Sequence, residues 1–531
     1  FKNRGYAELG GLILNRRDVP REEEKVEELA DDFQTTIVGT LSHSEQVILA
    51  EEQKKTLLEC YPESEMAEEY RALAVQMYRI CGGALRDGNS AGETIDPKDA
   101  MVKIKDASFP APFASELEYN SPVHGNWNIV HTGMQLPESI QIYVCADNCM
   151  RGVVLTAAEM NAADRFSFVI VEEQNILNGN LEDITIEGVT DVLKKRDDHP
   201  KAVLLFTVCL HHFVGSNLDY IYSELEKRFP DICFIRCYMD PIMQKHGLTP
   251  DQKLRKAMYD PLIECKPYDK TVSVLGSDFA LDESSDIKRL LKKYNYRIFE
   301  LPKCKNWQDI MEMSKGKLFI NCYPAGKYGM ETQARRLGRE CLYLPGSFDY
   351  DEIEEQLKKL TDTLGLPELT EDERKQERQS CEQALAKAKD LIKDMPITLD
   401  YLYHPRPLGL AKLLITHGFC VKSVYLDAIN PEEKDDFIWL QKHAPELELI
   451  ATIQVKMRVL PRGGSEEVLA IGQKAAYFSK SRHFVNLVQG EGLYGFDGIR
   501  RTAELMMDAY LKEKDTQKLV IQKGWGCECC L

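Results

Sequence analysis

Between residues 201 and 239 the chain reads as strand, loop, helix, strand. "KAVLLFTVC" (201–209) is an apolar run of strand length. A glycine loop and the helix-like "SNLDYIYSELEKRFP" follow, and "ICFIRCYM" is the next strand. A strand apolar on both faces belongs to a sheet covered on both sides. The pattern recurs in "KTVSVLGSDF" with "ESSDIKRLLKKYNYRIFELP". It recurs again in "GKLFINCYPAGKYGMETQARRLGRECLYLP" and in "PITLDYLYHPRPLGLAKLLITHGFCVKSVYLDAI". Strands alternating with helices predict an α/β protein of parallel sheets with helices on both faces. Three such blocks are expected, at 119–266, 267–370 and 396–512. The charge-rich stretch 371–395 reads as a solvated helical connector. "RDGNSAGETIDPKD" (86–99) has linker composition, and 86–118 is taken as the linker. Residues 1–85 and the tail 513–531 stand apart from the blocks.

The 531 residues are 44% hydrophobic, enough for several cores. A formal charge of −18 argues against a sequence-independent grip on nucleic acid. No segment approaches a membrane-spanning length and no signal peptide is visible, so a cytoplasmic location is expected. The chain begins at Phe1 rather than methionine, which reads as a start other than the natural one.

In that setting the 16 cysteines are expected to be core fillers, metal ligands or redox groups rather than a disulfide framework. Cys233, Cys237, Cys341 and Cys420 lie in apolar runs and read as packing. Cys145, Cys209 and Cys322 stand out because each falls at the carboxyl end of a predicted strand, where open α/β sheets bind ligands. Cys149 follows Cys145 by four, a spacing unlike the redox pair C-x-x-C. In "FTVCLHHFVGSNLDYI" Gly215 and Ser216 open a helix, whose N-terminus favours a thiolate. His211 and His212 are adjacent, so at most one reaches the same site. Cys322, in "FINCYPAGKYG", is expected to face a cleft. Cys527, Cys529 and Cys530 read as a disordered tail or a soft-metal site. No G-x-x-x-x-G-K-[ST] occurs, so there is no P-loop for ATP phosphates.

Over about 119–512 these stretches resemble the component 1 family of nitrogenase and nitrogenase-like reductases. "SIQIYVCADNC" is similar to the family stretch that ends in a cluster cysteine, with Cys149 on that position. "FTVCLHHFVGSNLDYI" resembles a second, with Cys209 on its cysteine. "LFINCYPAGKYGMETQARRLG" resembles the second-domain stretch whose cysteine holds the active-site metallocofactor, with Cys322 on it. "LVQGEGLYGFDGIRRTAELMMDAY" resembles the third-domain stretch before a long helix. The resemblance implies three Rossmann-like parallel-sheet domains. It implies an iron–sulfur cluster, 4Fe-4S or 8Fe-type, on Cys145, Cys149 and Cys209 at a subunit interface, with Cys322 as the catalytic or second metallocluster ligand. There are departures. The family's first cluster cysteine, near residue 123, has no counterpart. Cys145 stands at the family's glycine and is the candidate replacement. The cofactor histidine is expected near Val485 or Asn486, with His483 out of register.

Residues 1–85 carry a second resemblance, in "ELGGLILNRRDVPREEEKVEELADDFQTTIVGTL" and "AEEQKKTLLECYPESEMAEEYRALA". These are similar to the C-terminal part of the nitrogenase iron protein. Asn15 falls on a family residue near the adenine, and Glu51 is a second nucleotide-site candidate. The two resemblances together imply a nitrogenase-like reductase, a homo- or hetero-oligomer of component 1-like subunits acting on a small molecule. Its electrons would come from an iron-protein-type reductase, fused or separate, that hydrolyses ATP with Mg. The alternative is a scaffold on which a metallocluster is built before transfer.

Overall fold

The computed structural model describes residues 10–53, 55–80, 100–113, 129–240, 247–458 and 466–515. It comprises two units, Phe1–Thr94 and Ile95–Leu531. The expected cysteines of the tail and the position near residue 123 lie outside the described residues, as does the linker stretch 86–99.

In the first unit β1 (Leu12–Asn15) and β2 (Ile37–Leu41) pair in parallel. The helix Glu22–Asp32 makes the crossover between them. Leu41, Leu57, Met66 and Ala67 form its small core. Thr56 and Glu59 satisfy each other's backbone N–H groups at the start of the turn Leu57–Cys60.

The second unit opens with β3 (Met101–Lys103) and holds three sheets. The first contains β4 (Ser139–Cys145), β5 (Phe166–Ile170), β6 (Ala202–Val208) and β7 (Cys233–Met239), in the order β5-β4-β6-β7. The second contains β8 (Thr271–Val274), β9 (Arg297–Glu300), β10 (Leu318–Asn321) and β11 (Glu340–Tyr343), in the order β11-β10-β8-β9. The third contains β12 (Ile397–Asp400), β13 (Val421–Tyr425), β14 (Glu448–Ile450), β15 (Leu469–Ile471) and β16 (His483–Val485), ordered β16-β15-β12-β13-β14-β3. Among the described residues every strand pairing is parallel except β14 with β3. β4 and β6 are buried along their whole length, as unbroken apolar runs in a doubly covered sheet should be. The α/β fold read from the sequence is the fold observed.

Each sheet reverses its strand order once: between β4 and β6, between β8 and β10, and between β12 and β15. On either side of a reversal the chain leaves in opposite directions, so the loops diverge and leave a crevice beyond the carboxyl ends.

Two segments differ from their expected character. Residues 100–113, counted with the linker, instead supply β3 and the fully buried Ile104, whose N–H donates to the Leu447 carbonyl at 2.8 Å. Their three-residue strand is too short for a sequence signal and closes the third sheet's edge. The connector is a helix, Glu371–Ile392, but it is not solvated all round. Cys381, Leu385, Ala388 and Ile392 form a buried stripe on one face. All four recur at helical spacing, three or four residues apart, inside a highly charged sequence.

Candidate functional site

β4 delivers Cys145 and β6 delivers Cys209 to the two sides of the first sheet's reversal. Cys149 follows in the first turn of the helix Asp147–Glu159. Cys149 is exposed, Cys209 is half-buried and Cys145 is buried. Alternation along β4 puts Cys145 on the same face as Tyr143, whose ring stacks on Phe206 at 4.2 Å. Cys145 packs in that core with Met150 and Val208. Burial, with the nearby Cys149 and Asp147 adding, pushes its thiol up to about 12. Two of the three thiols are thus presented at the rim and the third is held protonated in the core.

The two histidines after Cys209 part company. The chain there is a short helix, Cys209–Phe213, so neighbours diverge by about 100°. His211 turns inward: its Nδ1 accepts the Val208 N–H at 3.2 Å, and burial drops its pKa to about 4. His212 stays at the rim, with Nε2 3.2 Å from Asp240 Oδ2 at the end of β7. Lys253 Nζ lies 3.0 Å from the same oxygen. The helix expected to open at Gly215 and Ser216 begins at Leu218, capped by Asn217, and Cys209 instead opens its own short helix, Cys209–Phe213.

Cys322 lies just past β10, at the second sheet's reversal. Beside it Gly276 (φ 80°), past β8, approaches so closely that a Cβ there would stand 2.6 Å from Gly326 Cα. Only glycine permits this contact at that φ, and it brings the Ser277 and Cys322 loops together. Loops from the third sheet face them. The result is a cavity of about 40 Å³ lined by Ser277, Asp278, Cys322, His404, Gln489 and Tyr494, among others. Asp278 is neutralised by Arg255, which donates to both carboxylate oxygens at 2.8 and 2.6 Å. Burial, with Glu300 adding, pushes the Cys322 thiol up to about 12. His404 Nδ1 accepts the Arg406 N–H at 3.1 Å, which leaves the proton on Nε2. Burial and the Arg406 charge lower its pKa to about 3, so the ring is neutral. Tyr494 donates its hydroxyl to Gln356 Oε1.

Ser277, His404, Gln489 and Tyr494 were missed by sequence reasoning. His404-Pro405 after a strand and the "QGEG" turn were the available signals. Gln489, Gly490, Glu491 and Gly492 all have positive φ. Gln489 and Glu491, which are not glycine, are strained in this region, and strain of this kind clusters at functional sites. Val485 ends β16, Asn486 follows it, and the His483 ring is engaged elsewhere, its Nδ1 3.0 Å from the Ala509 carbonyl oxygen. In the first unit Asn15 is exposed at the carboxyl end of β1, and Glu51 belongs to the helix Glu45–Glu52. Among the described residues no group of three or more His, Cys, Asp and Glu side chains is arranged to hold a metal ion. No helix among them is long and apolar enough to cross a membrane.

Residues 168–511 match the family described as nitrogenase component 1 type oxidoreductase. Residues 1–81 match the 4Fe-4S iron sulfur cluster binding proteins of the NifH/frxC family. A nitrogenase iron protein from Methanococcus voltae is 35% identical over 78 residues, which are 15% of this chain and 28% of that protein. The chain therefore spans well under a third of that relative. Two solved structures share the fold. Nitrogenase Cp1 at pH 6.5 aligns with a TM-score of 0.53 at 12% identity, over 81% of this chain and 95% of that one. Nitrogenase Cp1 at pH 5 aligns with a TM-score of 0.52 at 13% identity, over 79% and 96%.

Proposed function

The chain belongs to the nitrogenase component 1 type oxidoreductases, and from that membership we propose that it is the catalytic module of a nitrogenase-like reductase. It takes electrons from an ATP-hydrolysing iron-protein-type partner and delivers them to a small molecule in the Cys322 cavity. One observation carries this reading: the first and second sheets each bring a cysteine to the strand reversal where such folds bind ligands.

An iron–sulfur cluster fits the first rim in part. Cys149 and Cys209 present thiols at the edge of the sheet and would hold it. Cys145, packed among Tyr143, Met150 and Val208, would join only by giving up a tightly held proton. Two accessible thiols are fewer than such a cluster needs, so the remaining ligands come from a second subunit or from residues outside the described ones. Exposed Leu177, Phe213 and Val214 flank this edge and give a second subunit apolar surface to cover. When bound, a cluster would supply one-electron storage and transfer at that edge. Cys322 is the candidate ligand or catalytic thiol of the second centre. In the first unit Asn15, with Glu51, is the candidate contact to a nucleotide held with the partner reductase.

The test is iron analysis of anaerobically purified protein in parallel with turnover. Cys209→Ala should lose most of the iron and the visible thiolate–iron charge-transfer absorption. Cys322→Ser should keep the first cluster's iron and lose substrate reduction. Iron unchanged in Cys209→Ala removes that residue from the site. Protein that loads iron, passes it to an apo-acceptor and never turns over with reductase and ATP is a scaffold.

A further inference from the structure

The cavity beside Cys322 has a polar lining that the reductase reading leaves unused. Ser277 Oγ and both amide atoms of Gln489, Oε1 and Nε2, are buried and have no hydrogen-bond partner among the described residues. All line the same cavity. A buried polar group left unpaired is costly, so three in one small space point to a ligand that completes them. His404 adds a third side chain. Its Nδ1 is already taken, so its Nε2–H is the group left to donate.

The chemistry of the missing partner can be read from this set. Gln489 offers a donor and an acceptor from one planar group. The complement is another planar group with an acceptor and a donor side by side, such as a carboxamide, lactam or urea. Charge points the same way. Asp278 alone carries a formal charge among the described residues lining the cavity, and Arg255 neutralises it. An anion would meet no free cation there, and a cation no free carboxylate. The strained loop that carries Gln489 is pinned in place: a Cβ on Gly492 would stand 2.0 Å from the Ala280 carbonyl oxygen, and Gly492 accepts the Asp282 N–H at 3.0 Å.

We propose that this cavity recognises a neutral amide-type group, paired in-plane with the Gln489 side chain and held by Ser277 Oγ and His404 Nε2–H. Resting on the reductase reading, it names the substrate class of that site: a molecule with a carboxamide, lactam or urea-like group placed beside the Cys322 thiol.

Formamide is the probe and formate its anionic counterpart of equal heavy-atom count. Binding to the full chain is followed by ligand-observed NMR without reductant, so electron transfer plays no part in the readout. Three heavy atoms bind no tighter than about 1 mM. Formamide is expected to bind at least tenfold better than formate. Ser277→Ala and Gln489→Asn should each weaken formamide at least fivefold. Asparagine suits the left-handed backbone at 489 and shortens the amide reach. Equal binding of formate, or formamide binding that neither variant changes, overturns the proposal. Formamide binding by a chain that never turns over with reductase and ATP would leave the amide site standing and remove the reductase reading. Turnover by a chain with no measurable formamide binding would do the reverse.

Discussion

The His404 ring ties the acid stability of the second unit to the cavity it lines. Its folded pKa is about 3, against an ordinary 6.5, because the ring is buried beside the Arg406 charge while Nδ1 accepts a backbone N–H. The unfolded state therefore takes up this proton first. Stability from the neutral ring is present above pH 6.5 and is lost as pH falls toward 3. Between pH 7 and pH 5 the loss from this one group is about 2 kcal/mol. His404→Asn keeps an oxygen that can accept the Arg406 N–H but has no proton to gain. Its urea midpoint should fall less steeply over the same interval. Identical slopes for the two proteins would show that the ring is not held neutral. At the first rim the residue scale separates Cys145 from Cys149. Alternation along β4 sends one thiol into the core, and the following helix turn brings the other to the surface.

One arginine bonds across the joint between the first and second sheets, which also share a hydrophobic core. Arg255, on the helix Pro250–Ala257, donates to both oxygens of Asp278 past β8 and to the Gly276 carbonyl at 3.0 Å. Both side chains are almost wholly buried. Removing one member leaves a buried charge without its partner, so Arg255→Leu should destabilise the second unit by about 3–5 kcal/mol. The double variant Arg255→Leu, Asp278→Leu should recover part of that loss, because neither charge is then stranded. Urea denaturation of both reads this out, and a double variant no more stable than the single one would assign the cost to packing. The helix Glu371–Ile392 carries a different lesson. Cys381 Sγ lies 3.2 Å from the Phe496 carbonyl oxygen, so the buried stripe docks this helix on the start of Gly495–Leu511.

For the whole molecule, the first rim's shortage of accessible thiols and its exposed apolar side chains lead to one expectation. The iron-loaded protein is expected to be at least a dimer, closed over the edge that carries Cys149, Cys209 and Phe213. Phe213 is 60% exposed on the short helix that begins at Cys209. Phe213→Asp places a charge in the centre of the proposed contact. It should shift sedimentation toward monomer at micromolar concentration and lower iron content with it. A monomeric variant with full iron would separate cluster binding from assembly and sink the shared-ligand idea.

By itself the sequence determined the α/β architecture, because strand-length apolar runs joined by helical segments leave little choice but parallel sheets covered on both faces. It also marked Cys145, Cys209 and Cys322, since a strand's end is a local property of the chain. Four things waited for the tertiary structure. The order of strands, and so the reversals where those cysteines fall, is a pairing between segments far apart in sequence. Residues 101–103 became a strand only through pairing with β14, more than 340 residues on. The inward turn of Cys145 and His211 depends on what the opposite face packs against. The cavity is drawn from loops after β8, β10, β12 and β16, and Ser277, Cys322, His404 and Gln489 have no motif in common. Their convergence comes from two sheets facing each other, with Gly276 and Gly326 letting the backbones approach. No local pattern encodes that, because the constraint acts between chain segments and not along them.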